Sequence, residues 1–412
     1  MQKDLHEKPF DEGTLKKLDI FEAYTKQWLP TFIMNNFESD IYIFDLFAGP
    51  GYSITSQEGS PIRILKQVNE QIGNIFSKNK KVHVLFNEYD KDKVEKLEKA
   101  CESFCNNHAE LKRAIASKHV QYKILNTDVA KLFPKVESFL GKYPLLLFLD
   151  QNGIKFMGDT YLRPLLNAKK VDFLFYLSSS YFNRFGNTDE FKNIIDIDLK
   201  KAKEAPYKYI HRSILEQLRE KIPVNCPTRL YPFTIKKGCN VYGIIFGASH
   251  PRGVEKFLQT AWTENNINGE ANFDIDDDKN KGQVDLFGYV ELTKIMKFHQ
   301  EIRQAILEDK IKTNKDAFDF ALNQGHLPSH AADEIKLMKK EKLIDYGGRS
   351  PLVTYEKVYK DRIILPYTKC AQRKVSVSAM LVYIHKKNIA QVLFLSDIFL
   401  FPFVRQQVTV LA

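Results

Sequence analysis

The chain has 412 residues, 44% apolar and 27% charged, a balance that excludes long disordered stretches and supplies enough apolar side chains for two or three domains. A net charge of +10, from 61 Lys and Arg against 51 Asp and Glu, favours a polyanionic partner such as nucleic acid, because neutralising phosphates gives sequence-independent affinity. Five scattered cysteines make no disulfide framework and point to a reducing cytosol. The first residues lack the apolar core of a signal peptide, and the most apolar stretch, 390–404, carries Asp397 and Pro402 and is shorter than the ~20 residues a bilayer needs, so no membrane association is expected.

In chain order, residues 1–40 read as a polar lead-in and a helix whose apolar face is Leu15, Leu18, Phe21, Tyr24 and Trp28. Five short β-rich runs follow, at 41–44, 82–86, 120–125, 145–149 and 171–177, each closed by a polar residue. Continuous rather than alternating apolar runs, as at 145–149 and 171–177, mark strands buried on both faces of a mostly parallel sheet. Runs at 229–235 and 241–246 around a Gly-containing turn predict an antiparallel hairpin. The expected fold class is therefore α/β, a Rossmann-like class I methyltransferase sheet over 41–264 with a helical insertion at 181–228. An acidic linker is expected at 265–290. Helices and a Gly-Gly-Arg turn over 291–360 predict a C-terminal winged helix-turn-helix, with a helix at 329–342 capped by Ser329. Residues 361–412 fit neither unit.

The strongest chemical signal is Asp45-Leu46-Phe47-Ala48-Gly49-Pro50-Gly51, directly after the first strand. Its glycines let backbone pass close to a ligand, and the following helix offers unpaired N–H groups. In open α/β sheets ligands bind outside the carboxyl ends of the strands, so Asp45, Phe47, Gly49 and Gly51 are expected to line an S-adenosylmethionine (SAM) pocket. Glu88, ending the second strand, sits where such folds place an acid on ribose hydroxyls. Asp128 would lie by the adenine, or serve as a helix N-cap, or both.

The fourth strand ends in Asp150-Gln151-Asn152-Gly153, facing the methyl acceptor, which makes Asp150 and Asn152 candidate catalytic residues. His250 is a third, with Arg252 beside it able to hold a phosphate; both could equally be capping or ion-pair residues. Lys336, Lys339 and Lys340 on the expected recognition helix, with Arg349 in the turn after it, are the other nucleic-acid candidates, and His330 and Asp333 would read bases. Cys101, Cys105 and His108 fit no zinc spacing, and helix packing accounts for them better.

The motif at 45–51, Gly59-Ser60-Pro61, Asn87-Glu88-Tyr89-Asp90, Leu149-Asp150-Gln151-Asn152-Gly153-Ile154-Lys155 and Phe246-Gly247-Ala248-Ser249-His250-Pro251-Arg252-Gly253 together resemble the bacterial three-Cys-motif partner (TcmP) family over roughly 15–355. The resemblance implies a SAM-dependent methyltransferase fold, a C-terminal winged helix and a neighbouring partner protein that carries three cysteines. One departure stands out. The family has Asp-Pro-Phe-Gly where this chain has Asp150-Gln151-Asn152-Gly153, so the rigid stacking platform for a flipped base is gone. Three readings follow: a nucleic-acid methyltransferase, a catalytically silent SAM- or nucleotide-binding subunit, or a nucleic-acid-binding defence or regulatory protein.

Overall fold

A computed structural model describes residues 9–370 apart from 37, 152–154, 179–197, 199–205, 224 and 284–288. Helix α1 (Glu12–Ile33) opens the chain, its N-terminus capped by Asp11, whose carboxylate accepts the Thr14 N–H. Strand β1 (Asp40–Asp45) is followed by α2 (Ser60–Glu70) and α3 (Ile72–Ser77). Strand β2 (Lys81–Asn87) leads to α4 (Lys91–Asn107) and α5 (Ala109–Ala116), and β3 (Val120–Leu125) to α6 (Val129–Glu137). Strand β4 (Leu145–Leu149) precedes α7 (Asp159–Asn167), and β5 (Val171–Ser178) precedes α8 (Ile210–Glu220). The hairpin β6 (Arg229–Lys237) and β7 (Asn240–Ala248) then leads into α9 (Pro251–Glu264).

The seven strands lie in the order β3-β2-β1-β4-β5-β7-β6, the first five parallel and β7 antiparallel to both neighbours. A parallel sheet closed by an antiparallel hairpin is the class I methyltransferase arrangement. All five residues of β4 are buried, as a strand with helices on both faces must be. One face is covered by α1 to α5 and α9, and the other by α6, α7 and α8. Between β1 and β4 the strand order reverses, and in open α/β sheets ligands bind at the carboxyl ends beside such a point.

Residues 265–282 do not behave as a linker. Ala271, Ile275 and Asn268 are fully buried. Thr234 N–H donates to Glu270 O at 2.7 Å and Asn272 N–H to Thr234 O at 3.0 Å, so this segment covers the exposed edge of β6. Its acidic residues are matched from a distance: Arg212 pairs with Glu270 and with Asp276 (2.6 Å), and Lys294 with Glu270 at 2.9 Å. Burial works against the Glu270 carboxylate, but the Lys294 and Arg212 charges outweigh it and hold its pKa below the ordinary value. The expected insertion at 181–228 is represented mainly by α8; most of 179–205 lies outside the described residues.

Helices α10 (Lys294–Leu307), α11 (Asn314–Asn323) and α12 (Pro328–Lys340) form the C-terminal bundle. Helix α12 starts with Pro328 in its first turn and Leu327 at the cap, so Ser329 is already helical. The bundle shares its apolar cluster with the first face of the sheet, and Trp262 of α9 donates to Gly325 O at 3.0 Å. The expected wing is not the hairpin formed. Strand β8 (Ile344–Asp345) pairs with β9 (Thr368–Lys369) rather than with 353–355. Val353 is buried instead, and buried Asn314 ties the returning chain down by donating to Leu352 O and Ile363 O and accepting from Leu365 N–H. Residues 371–412 lie outside the described residues, and among the rest no helix is long and apolar enough to cross a membrane.

Candidate functional site

The carboxyl ends of β1, β2 and β4 bring together Asp45, Glu88 and Asp150, as the sequence suggests. Asp45 is fully buried. Its Oδ1 accepts the Phe47 N–H at 3.2 Å, while Oδ2 has no hydrogen-bond partner among the described residues. Burial pushes this carboxyl up to about 7; the Ser60 hydroxyl and the Phe47 N–H pull it down, and the negative charges of Asp150 and Glu88 add to the rise.

The turn after Asp45 is left-handed at Gly49 (φ 65°) and Gly51 (φ 86°). A Cβ at Gly51 would also lie 2.8 Å from the Cβ of Ala100 on α4, so only glycine fits. The chain then closes a small loop, with Gly59 N–H donating to Gly51 O at 2.8 Å. Helix α2 therefore begins at Ser60, eight residues later than a helix directly following the motif would.

Glu88 is half-buried and fastens the turn: Oε2 accepts the Gly49 N–H at 2.9 Å and Oε1 the Asp90 N–H at 2.9 Å. Asp128 caps α6 by accepting the Ala130 N–H at 2.8 Å, so its capping role is observed. Phe47 is half-buried and packs edge-on against Phe156, with ring centroids 5.3 Å apart.

Three residues escaped the sequence reading as site residues. Asn87 is buried and donates through Nδ2 to Leu46 O (3.2 Å) and Thr127 O (2.9 Å), tying together the loops after β1 and β3, while its Oδ1 is unsatisfied among the described residues. Gln151, 3% exposed, accepts the Phe156 N–H, and its Nε2 is likewise without a partner. Lys17 reaches over from α1 to pair with Asp150 and lies 4.3 Å from the centre of the Tyr176 ring. Its signal was present: at i, i+4, i+7 and i+11 with Phe21, Tyr24 and Trp28, it is a lysine inside an apolar stripe.

Other expected site residues lie elsewhere. His250 and Arg252 follow β7, which runs antiparallel: Ala248 is level with Asp172 near the start of β5, and Tyr242 with Ser178 at its end. They therefore sit at the amino edge of the sheet, three strands away from Asp45 and beyond its level, since Asp45 is level through Phe148 and Leu174 with Phe246. There His250 caps α9, and Arg252 is taken up by Glu255 (2.7 Å), Glu356 (3.0 Å) and the face of Tyr355. Asn152 lies outside the described residues.

Lys339 is committed to its own turn, donating to Tyr346 O at 2.6 Å and Gly348 O at 3.1 Å and pairing with Asp345 at 2.9 Å. His330 is also turned inward, edge-on to Trp262 and 3.1 Å from Nδ1 of His326. Lys336, paired with neighbouring Asp333, and Lys340 and Arg349 remain exposed. Cys101 and Cys105 are buried on the face of α4 that packs against the sheet, with burial pushing the Cys105 thiol up to about 11.

No protein-family model and no curated protein matches the chain. Solved structures do resemble it. A human methyltransferase 10 domain containing protein is 12% identical over 59% of this chain and 85% of that one, with a TM-score of 0.27. SCL7 of Oryza sativa is 10% identical over 57% and 82%, with a TM-score of 0.30. The DszA carbon methyltransferase is 12% identical over 57% of each, with a TM-score of 0.29. At such TM-scores these likenesses bear no weight, and the strand order and the carboxyl-edge geometry have to speak for themselves.

Proposed function

We propose that the chain is a SAM-dependent methyltransferase of nucleic acid, similar to the TcmP proteins and working with a three-cysteine partner. The observation that carries the SAM reading is the unsatisfied Asp45 Oδ2 beside a left-handed glycine turn at the switch point of the sheet. Asn87 Oδ1 and Gln151 Nε2 are buried and unsatisfied at the same edge. Each such atom costs about 1–3 kcal/mol if it stays unpaired, so a polar ligand that reaches them recovers that cost.

The residues suit SAM. Asp45 would take the ammonium of the methionine end, the left-handed turn at Gly49 and Gly51 would bring backbone close to its methionine portion, and Glu88 would accept from the ribose hydroxyls. When bound, SAM supplies an electrophilic methyl group on a sulfonium. Glu88→Ala is expected to lose the charge-assisted hydrogen bonds to the ribose, weakening SAM about ten- to a hundredfold in calorimetry. Unchanged affinity would reject the ribose assignment.

The nucleic-acid part of the reading draws on the +10 charge and the exposed Lys336, Lys340 and Arg349. Replacing these three by Ala should weaken binding to all sequences alike and flatten the salt dependence by about two to three units of slope. If the same variant instead loses the three-cysteine partner in a pull-down, with its salt titration on RNA and DNA unmoved, this face is a protein-docking surface.

A second reading, a SAM-binding subunit without turnover, draws on Asp150, whose carboxylate is already paired with Lys17. Radiolabelled SAM incubated with the protein, its partner and total cellular nucleic acid separates the two, because only the enzyme moves label.

A further inference from the structure

We propose that Lys17 is a positioning residue of the acceptor side, holding one oxygen of Asp150 so that the other is presented to the methyl acceptor. The inference rests on the reading of the carboxyl edge as a methyl-transfer site.

Lysine is among the residues least often fully buried, yet Lys17 is 5% exposed. Helix α1 does not need it for docking, since Leu18, Ile20, Phe21, Tyr24, Trp28, Leu29 and Ile33 already fill its apolar face. Nor is the ion pair an economical source of stability, because desolvating two charges offsets most of their attraction. What the pair does do is geometric. Lys17 binds Asp150 Oδ2, and Oδ1 accepts no hydrogen bond from any described residue.

The pair is held from both sides. Lys17 lies over the Tyr176 ring at the end of β5, which in turn stacks on Tyr242 of β7 with centroids 5.8 Å apart. The start of α1 is fastened across the same edge at three more points. Phe10 N–H donates to Gln57 Oε1 at 2.8 Å in the loop after the glycine turn. Asp11 pairs with Lys237 at the end of β6, and Lys16 pairs with Glu264 at the end of α9 at 2.6 Å. An N-terminal segment tied to the glycine loop, the hairpin and α9 thus delivers one cation to the residue that ends β4. A carboxylate with one oxygen clamped and the other unbonded among the described residues suits an acceptor that brings its own N–H or O–H.

The test uses the full chain with its three-cysteine partner, radiolabelled SAM, and total RNA and sheared genomic DNA as acceptor pools. Lys17→Met keeps the stem and removes the charge. It should leave SAM affinity within about twofold and lower kcat at least tenfold with little change in KM. Lys17→Arg should recover most of the rate. Asp150→Asn should be no slower when combined with Lys17→Met, since the lysine acts through that carboxylate. Full turnover in Lys17→Met, or additive losses in the double variant, overturns the proposal. So does a wild type that binds SAM and transfers no methyl, which leaves the cofactor site standing. A wild type that binds no SAM overturns the functional reading itself. If Lys17→Met fails to fold, Lys17→Gln and Lys17→Arg carry the same comparison.

Discussion

SAM should bind about tenfold more weakly for each pH unit below 7, reaching about a hundredfold at pH 5, and Asp45→Asn should abolish that acid limb. Burial raises the Asp45 carboxyl to about 7, so below that pH the free protein carries it neutral. A bound ammonium requires the ionised form, and every unit of acidification adds the cost of removing one proton. On the alkaline side affinity falls again as the α-amino group of the ligand, with an ordinary pKa near 7.7–8.0, loses its charge. Asp172 also has its carboxyl raised to about 7, by burial, but it lies near the start of β5 against Tyr24 and is the same in both proteins. Calorimetry from pH 5 to 7.5 checks this: a flat wild-type profile, or an equal slope in Asp45→Asn, would refute the role of Asp45.

The same carboxyl sets a stability trade. Its folded pKa lies above the ordinary 3.8, so the protonated form is favoured by folding. The sign follows: stability is greatest below pH 3.8 as far as this group is concerned, and is lost as pH rises to 7. Asp45→Asn should therefore make the free protein more stable at pH 8 while weakening its ligand.

The middle of the sheet was legible because β4 and most of β5 are buried on both faces. Runs such as Leu145 to Leu149 and Val171 to Leu177 have no other economical home, and each ends within a residue or two of the expected position. That Asp45 and Glu88 meet at the carboxyl edge was legible because they are the first acids at the ends of two β-rich runs. What stayed hidden was long-range. The acids of 265–282 look like a solvated linker until Arg212 and Lys294 are seen to answer them. His250 looked catalytic because it follows a strand, but an antiparallel strand delivers its end to the opposite edge. The expected wing does not form: Val353 is buried in the core, and β8 pairs instead with 368–369.

Helix α1 is packed on the sheet through a ring contact whose removal should cost much stability. Phe21 is fully buried and stacks on Phe148 of β4 with centroids 4.0 Å apart and planes 12° from parallel. Phe21→Ala should cost about 3–5 kcal/mol, the sum of lost transfer free energy and the cavity left between helix and sheet. The denaturation midpoint should fall with the m-value unchanged, because the folded and unfolded surfaces stay nearly the same. Phe148 stands two residues before Asp150, and Phe21 one helical turn after Lys17, so the stack also sets the register in which the ammonium meets the carboxylate. Phe21→Leu, which refills most of the space, should lose much less stability and keep the Lys17 contact. A loss below about 1 kcal/mol in Phe21→Ala would mean that α1 is not docked on β4 through this ring.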